Sequence, residues 1–286
     1  MSALLASALL AAGALQQPPV FSAEVGLVRV EVLVTRKGSP VRGLGATDFE
    51  VRDNGRVQEL QPVLEEEEAP VDAALVLDMS GSVRGAKLFA LKDAARAFLG
   101  GLREGEQAAL VAFRHEVVLL EPFTAERTRV ERALDRARPG GSTALCDAVY
   151  AALRLREPGP RRTAIVIFSD GMDNMSWLAA SEVVEAAARS DAMVYGVTAR
   201  DRDDRKDPFL RDVVGATGGQ LFEAEGEADL RARFLDVLGD IRSRYVLSYT
   251  PDGADAAGWH ALDVKLKRVK GDVLGRPGYW RYTTGQ

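Results

Sequence analysis

One cysteine and two histidines are all that the 286 residues contain. With Cys146 alone, no intrachain disulfide can form. It lies in "TALCDAVYAAL", at the start of a predicted helix, and reads as a small buried apolar side chain. His115 and His260 belong to neither a zinc nor a catalytic-triad pattern, and both read as exposed or packed side chains. No P-loop, G-x-S-x-G elbow or H-E-x-x-H occurs in the sequence. A basic excess is missing too. The formal net charge is −5, so there is no global positive surface and nucleic acid is not an expected partner. Beyond the N-terminus no apolar run approaches the length of a membrane span, so none is expected in a mature chain.

The composition is otherwise that of a soluble globular protein, 47 % hydrophobic and 28 % charged. Residues 1–15 of "MSALLASALLAAGALQQPP" are small and apolar, and the text then turns abruptly polar. That length suits a secretory signal peptide and is too short for a spanning helix. Ala12-Gly13-Ala14 offers a small-residue cleavage site, although no Lys or Arg precedes the run. No cysteine follows it that could carry a lipid. Export to a periplasmic or extracellular location is the expectation, with an uncleaved anchor as the rival reading.

Three zones follow. Residues 24–64 read as β-structure. In "LVRVEVLV", Val28, Val30, Val32 and Val34 share one face, and "FEVRDNGRVQEL" predicts a hairpin with Asn54-Gly55 at its tip. Residues 65–70, with the run Glu65 to Glu68, read as a solvated acidic linker. Residues 71–243 alternate strands with amphipathic helices. The predicted strands are Ala73–Leu77, Ala108–Phe113, Val117–Leu120, Thr163–Phe168, Met193–Val197 and Gln220–Phe222. Only Arg114-His115-Glu116 separates the second from the third, too few residues for a crossover, so that pair is antiparallel. The expected fold class is α/β, a doubly wound, mostly parallel six-stranded sheet with one antiparallel edge strand, Rossmann-like in its winding. Residues 244–283 return to β-text. Neither terminal zone holds enough strands for a stable sheet alone, so the two are expected to pair into a small β-sandwich-like domain into which the α/β unit is inserted.

The chemistry concentrates at two strand ends. The apolar run "VLDMSGS" stops in Asp78, Ser80 and Ser82, and "TAIVIFSDG" runs into Asp170. In a doubly wound sheet the first and fourth strands lie side by side where the winding reverses, and ligands sit in that crevice. Two carboxylates facing one cleft repel unless a cation lies between them or one takes a proton. Ser80, Ser82 and Thr143, the last from "PGGSTAL", add hydroxyl oxygens. This hard-oxygen donor set with two charges suits Mg²⁺, with Mn²⁺ or Ca²⁺ as substitutes, and argues against Zn²⁺.

The set Asp78-x-Ser80-x-Ser82, Thr143 and Asp170 resembles the metal-ion-dependent adhesion site of von Willebrand factor type A domains, over roughly residues 71–243. The flanks "PVRGLGATDFEVRDNGRVQEL" and "RYVLSYTP" resemble a bacterial exported branch of that family. The resemblance implies that the serines and threonine bind the metal directly or nearly so, that the aspartates act largely through water, and that a partner's Asp or Glu completes the shell. The chain departs from the family in lacking a cysteine pair to tie the domain ends.

The expected function is a non-enzymatic, metal-dependent protein-binding module. Two alternatives remain open: a Mg²⁺-dependent hydrolase using metal-activated water, for which no general base stands out, and a structural envelope or assembly component. Asp173 is expected to cap the helix begun by "NMSWLAASEVVEAA", and Trp177 to line the binding face or to pack. Ala199 to Pro208 reads as a charged, solvated loop.

Overall fold

The computed structural model describes residues 26–62, 64–65, 70–155, 161–199, 208–253 and 257–282. The leader at 1–15, most of the acidic run and the charged loop at 200–207 lie outside the described residues. The leading β-zone supplies β1 (Val28–Arg36), β2 (Ser39–Pro40), β3 (Phe49–Asp53), β4 (Arg56–Gln58) and β5 (Leu64–Glu65). The α/β unit runs through β6 (Val71–Asp78), α1 (Ala86–Gly100), β7 (Ala108–Phe113), β8 (Val117–Thr124), α2 (Arg127–Arg136), α3 (Leu145–Leu153) and β9 (Arg162–Ser169). It continues with α4 (Ala180–Ala188), β10 (Met193–Ala199), α5 (Pro208–Thr217), β11 (Leu221–Ala224) and α6 (Leu230–Ile241). The closing zone holds β12 (Arg244–Tyr249), β13 (Gly258–Leu266), β14 (Asp272–Gly275) and β15 (Gly278–Arg281).

Every residue of β6 is buried because helices cover both faces of its sheet. Ala73, Leu75 and Leu77 pack with Leu91 and Phe98 of α1 and Phe234 of α6. Ala74 and Val76 pack on the other side with Val149 of α3, Val183 of α4 and Val213 of α5. Fully burying one such side chain stabilises the fold by about 1.5–3 kcal/mol. The strand order is β11-β10-β9-β6-β7-β8, with every pairing parallel except β7–β8. Leu77 lies opposite Phe168 in the β6–β9 register, so the two strands end together, with Asp78 level with Ser169 and Asp170 one residue beyond.

The chain ends share their sheets. β1 runs antiparallel to β12, with Val32 opposite Tyr245, and β3 runs antiparallel to β13, with Val51 opposite Val264. Val30, Val32, Val34, Phe49, Val51 and Leu247 form one core. The turns at Lys37-Gly38 and Asn54-Gly55 have positive φ at both positions, the twist that two-residue hairpins favour. The acidic run does not begin as a linker: Leu64 and Glu65 form β5, pairing with Val246 and Tyr245 of β12. The edge of the sheet at β12 leaves backbone groups open to a short pairing strand. Among the described residues no helix is long and apolar enough to cross a membrane.

Buried ion pairs tie the α/β unit to the flanking sheets. Arg162 of β9 grips Glu31 of β1, with Nε donating to Oε1 at 2.8 Å. Arg244, only 1 % exposed, donates to Asp240 Oδ1 at 2.6 Å and to the Gly218 carbonyl at 2.9 Å. The Tyr195 hydroxyl donates to the same Asp240 oxygen at 2.8 Å. Glu106, equally sequestered, accepts from the amides of Val71 (3.2 Å) and Arg103 (2.7 Å) and from the Arg242 guanidinium. It thereby joins the start of β6, the turn after α1 and the end of α6. Burial alone would raise the pKa of Glu31 and Glu106, but the arginines and donated hydrogen bonds outweigh it and hold both below their ordinary value of 4.5.

Their contribution to stability is therefore complete above that ordinary value and is lost as pH falls through the lowered pKa values. Melting temperature should fall on acidification below about pH 4.5. Glu106→Ala, which strands a buried guanidinium, should cost about 3 kcal/mol or more in chemical denaturation. A loss under about 1 kcal/mol would contradict the role of Glu106 as a tie.

Candidate functional site

At the end of β6, Asp78 turns inward and is wholly buried. Its Oδ1 accepts the Ser80 amide at 2.8 Å, and its Oδ2 accepts the hydroxyl of Ser169, the last residue of β9, at 2.8 Å. Burial pushes its pKa up, the hydrogen bonds from Ser80 and Ser169 pull it down, and the nearby charge of Asp170 adds to the rise. The net direction is upward. The Asp170 charge is near enough to act on a carboxylate with no exposure to solvent.

The following turn carries the alcohols. The Met79 amide donates to the Phe113 carbonyl at 2.7 Å, which pins the turn to the end of β7. Ser80 Oγ and Ser82 Oγ stand 3.0 Å apart, and the Ser82 hydroxyl donates to Asp170 Oδ1 at 2.7 Å. Lys87, in the first turn of α1, donates from Nζ to Asp170 Oδ2 at 2.5 Å. A hydrogen-bonded path thus runs from Asp78 through Ser80 and Ser82 to Asp170. The fifth residue comes from the loop after α2. The Gly81 amide donates to the Gly141 carbonyl at 2.9 Å and the Gly140 amide to the Met79 carbonyl at 2.8 Å, docking that loop onto the serine turn. Thr143 is buried there, its Oγ1 facing Gly171, the residue after Asp170. The five residues named from the sequence come from three loops at one end of the sheet. Gly81 is needed for close approach rather than for a left-handed φ, since a Cβ there would stand 3.3 Å from the Gly141 oxygen.

A second shelf adjoins the site. Asp173 does not cap α4, which begins at Ala180 with Glu182 accepting the Ala179 amide at 3.1 Å. Its carboxylate instead accepts the Cys146 amide at the start of α3 (2.8 Å), the amides of Met175 (3.2 Å) and Ser176 (3.1 Å) and the Ser176 hydroxyl (2.5 Å). Burial would raise the Asp173 pKa, but these donors outweigh it and hold it low. Unpaired amides at a helix N-terminus drew the carboxylate away from the helix that follows. Asp147 accepts the amides of Trp177 and Leu178, each at 3.0 Å, and Thr143 and Asn174 exchange hydrogen bonds of 2.9 and 3.0 Å. On this braced loop Trp177 is 94 % exposed, and Met172 and Met175 are about half exposed. Packing does not account for Trp177.

Of the histidines, His115 is exposed at the β7–β8 tip with its ring against Gly141. His260 is buried in the flanking β-structure, with Nδ1 2.8 Å from Asp53 Oδ1. Cys146 is buried as expected. Among the described residues no group of three or more His, Cys, Asp or Glu is placed to hold a metal, so any cation here would rely on alcohol oxygens beside the two carboxylates. Residues missed from the sequence are Lys87, Ser169, Asn174 and Asp147. Lys87 did carry a signal: a cation in the first turn opposes the helix dipole unless a carboxylate faces it.

The class is that of a doubly wound α/β unit whose switch-point crevice is lined by two carboxylates and three alcohols. Residues 73–172 match the family model described as von Willebrand factor type A domain. A UPF0353 protein of Mycobacterium leprae (strain TN) is 26 % identical over 223 residues, covering 66 % of this chain and 64 % of that protein. The chain therefore spans just under two thirds of the length of that relative. A von Willebrand factor type A structure from Catenulispora acidiphila superposes with a TM-score of 0.57 at 15 % identity, over 85 % of this chain and 74 % of that one. The vWF domain of the type V pili tip protein Mfa5 from Porphyromonas gingivalis gives 0.50 at 15 % identity, over 60 % and 95 %. At these identities the structural likeness speaks to the fold alone.

Asp173→Ala should release the shelf without unfolding the sheet. Amide exchange is expected to accelerate at Met175, Ser176 and Cys146 while β6 and β9 keep their protection. Unchanged exchange in the loop would show that Asp173 does not brace it.

Proposed function

We propose that this protein is an exported, non-enzymatic binding module that holds Mg²⁺, or Mn²⁺ or Ca²⁺ in its place, through Asp78, Ser80, Ser82, Thr143 and Asp170, and captures a protein partner by an Asp or Glu side chain. The observation that carries the reading is the hydrogen-bonded path from Asp78 through the two serines to Asp170 at the end of adjacent strands. The donor set fits a hard dication: each of the five residues offers oxygen, and only two of them are charged. When bound, such an ion supplies a Lewis-acidic position that an incoming carboxylate can occupy. The chain's residues prepare that position. Asp78 and Asp170 provide the negative charge, Ser80 and Ser82 keep their oxygens at mutual contact distance, and the glycine loop brings Thr143 alongside.

One carboxylate contact gives little affinity after the costs of association. The braced shelf supplies the rest of the surface. Trp177, Met172 and Met175 are large apolar groups on a loop whose backbone is already ordered, so a partner gains apolar burial with little loop entropy lost. A partner suited to this face presents an acidic side chain next to apolar ones. The apolar leader of the sequence supports export. The non-enzymatic reading gives both carboxylates to the cation and its hydrogen-bond partners, Asp78 with Ser80 and Ser169 and Asp170 with Ser82 and Lys87.

Pull-down from the native cells in Mg²⁺ should recover a partner that is lost in EDTA and with Asp78→Ala, while circular dichroism shows both proteins folded. Trp177→Ala should weaken capture by about thirtyfold, the loss of one central aromatic contact. Capture that persists in EDTA and with Asp78→Ala would overturn the reading.

A further inference from the structure

Lys87 stands where neither helix chemistry nor exposure favours it. The first turn of α1 is the positive end of a 15-residue helix, which disfavours a cation. Its Nζ nevertheless lies 2.5 Å from Asp170 Oδ2, and the Asp170 side chain is only 2 % exposed whereas that of Lys87 is 26 % exposed. The lysine therefore reaches in from the rim to meet the carboxylate. Arg84, the other cation near this turn, is exposed and lies over Gly81 and Gly140 on the outside.

Resting on the metal-binding reading above, we infer that Lys87 is a tethered counter-cation that competes with the dication for Asp170 and sets the charge of the loaded site. Asp78 and Asp170 carry two formal negative charges, and Lys87 returns one positive charge. Without a dication the cluster then holds one uncompensated negative charge instead of two. With a dication it holds one net positive charge instead of none. The same side chain thus does two things. It keeps the two carboxylates from repelling each other in the metal-free protein, and it leaves the loaded site positively charged, as an acidic partner requires. The cost is weaker metal binding, because a like charge stands a few ångströms from the ion.

Calorimetric binding of Mg²⁺ and Mn²⁺ to the full chain at fixed pH and ionic strength tests this, together with thermal melts in EDTA. Lys87→Met should bind both ions about tenfold more tightly, the order expected when a neighbouring like charge is removed behind partial solvent screening. Its metal-free form should melt below the wild type, and Mn²⁺ should close that gap. Lys87→Arg should keep wild-type behaviour in both measurements. If Lys87→Met does not fold, Lys87→Gln serves the same comparison. Metal affinity unchanged or weakened in a folded Lys87→Met or Lys87→Gln overturns the inference and leaves the metal-binding reading intact. Binding by the variant but not by the wild type supports the inference and removes native metal dependence from that reading. Binding by neither overturns both.

Discussion

Two carboxylates delivered to one crevice by adjacent parallel strands are the constraint on which the rest of this structure depends. The β6–β9 register fixes this, because Leu77 opposite Phe168 sets Asp78 level with Ser169 and Asp170 one residue further along the neighbouring strand. Burial raises the cost of charging Asp78, and the charge of Asp170 raises it further. Everything nearby answers that cost. Backbone and hydroxyl donors reach both Asp78 oxygens, Ser82 and Lys87 reach both Asp170 oxygens, and a glycine-lined contact admits a second loop at van der Waals distance. The Ser80, Ser82 and Ser169 hydroxyls can each turn a proton toward a carboxylate or away from it, which suits the proposed cation site in its empty and its loaded form.

The frame that holds this crevice is more polar in its interior than a doubly wound sheet requires. Arg244, Asp240 and Tyr195 form a buried knot where α6 passes into β12, and Glu106 binds the same helix end through Arg242 to the start of β6. Such pairs add modest net stability but are costly to break singly. The knot joins β12 of the flanking sheet to α6 and β10 of the α/β unit, and Glu106 holds the end of α6 to the base of β6. The loops at the opposite strand ends stand on this base, and the exposed Met172 and Met175 side chains on the shelf are the adaptable groups there.

Much of this could be read from residue order. The runs at Ala73–Leu77 and Thr163–Phe168 were legible because strands covered on both faces must be apolar throughout, and Arg114-His115-Glu116 was too short for anything but a hairpin. Asp78 and Asp170 stood out because polar residues ending such runs at a switch point have few structural uses, while Thr143, which lies in a loop before α3, was named alongside the serines from the motif they resemble. The shelf was not. Asp173 was assigned to the helix after it, whereas its donors come from Cys146 across the loop and from Met175 and Ser176. A sequence names an acceptor but not which of several unpaired amides will reach it. Trp177 could equally have been core, and only the satisfied loop beneath it shows why it points outward. Glu65 was read as linker because its charge suits solvent, while β12 offered an edge that composition does not reveal.

The central claim is that the oxygens of Asp78, Ser80, Ser82, Thr143 and Asp170 surround one dication. Anomalous diffraction from crystals soaked in Mn²⁺ tests it most directly. The account requires a strong anomalous peak among those five side chains, with the Ser80 and Ser82 hydroxyls at coordination distance. Crystals that bind Mn²⁺ only elsewhere, or keep the Ser82–Asp170 hydrogen bond undisturbed at saturating Mn²⁺, would contradict it.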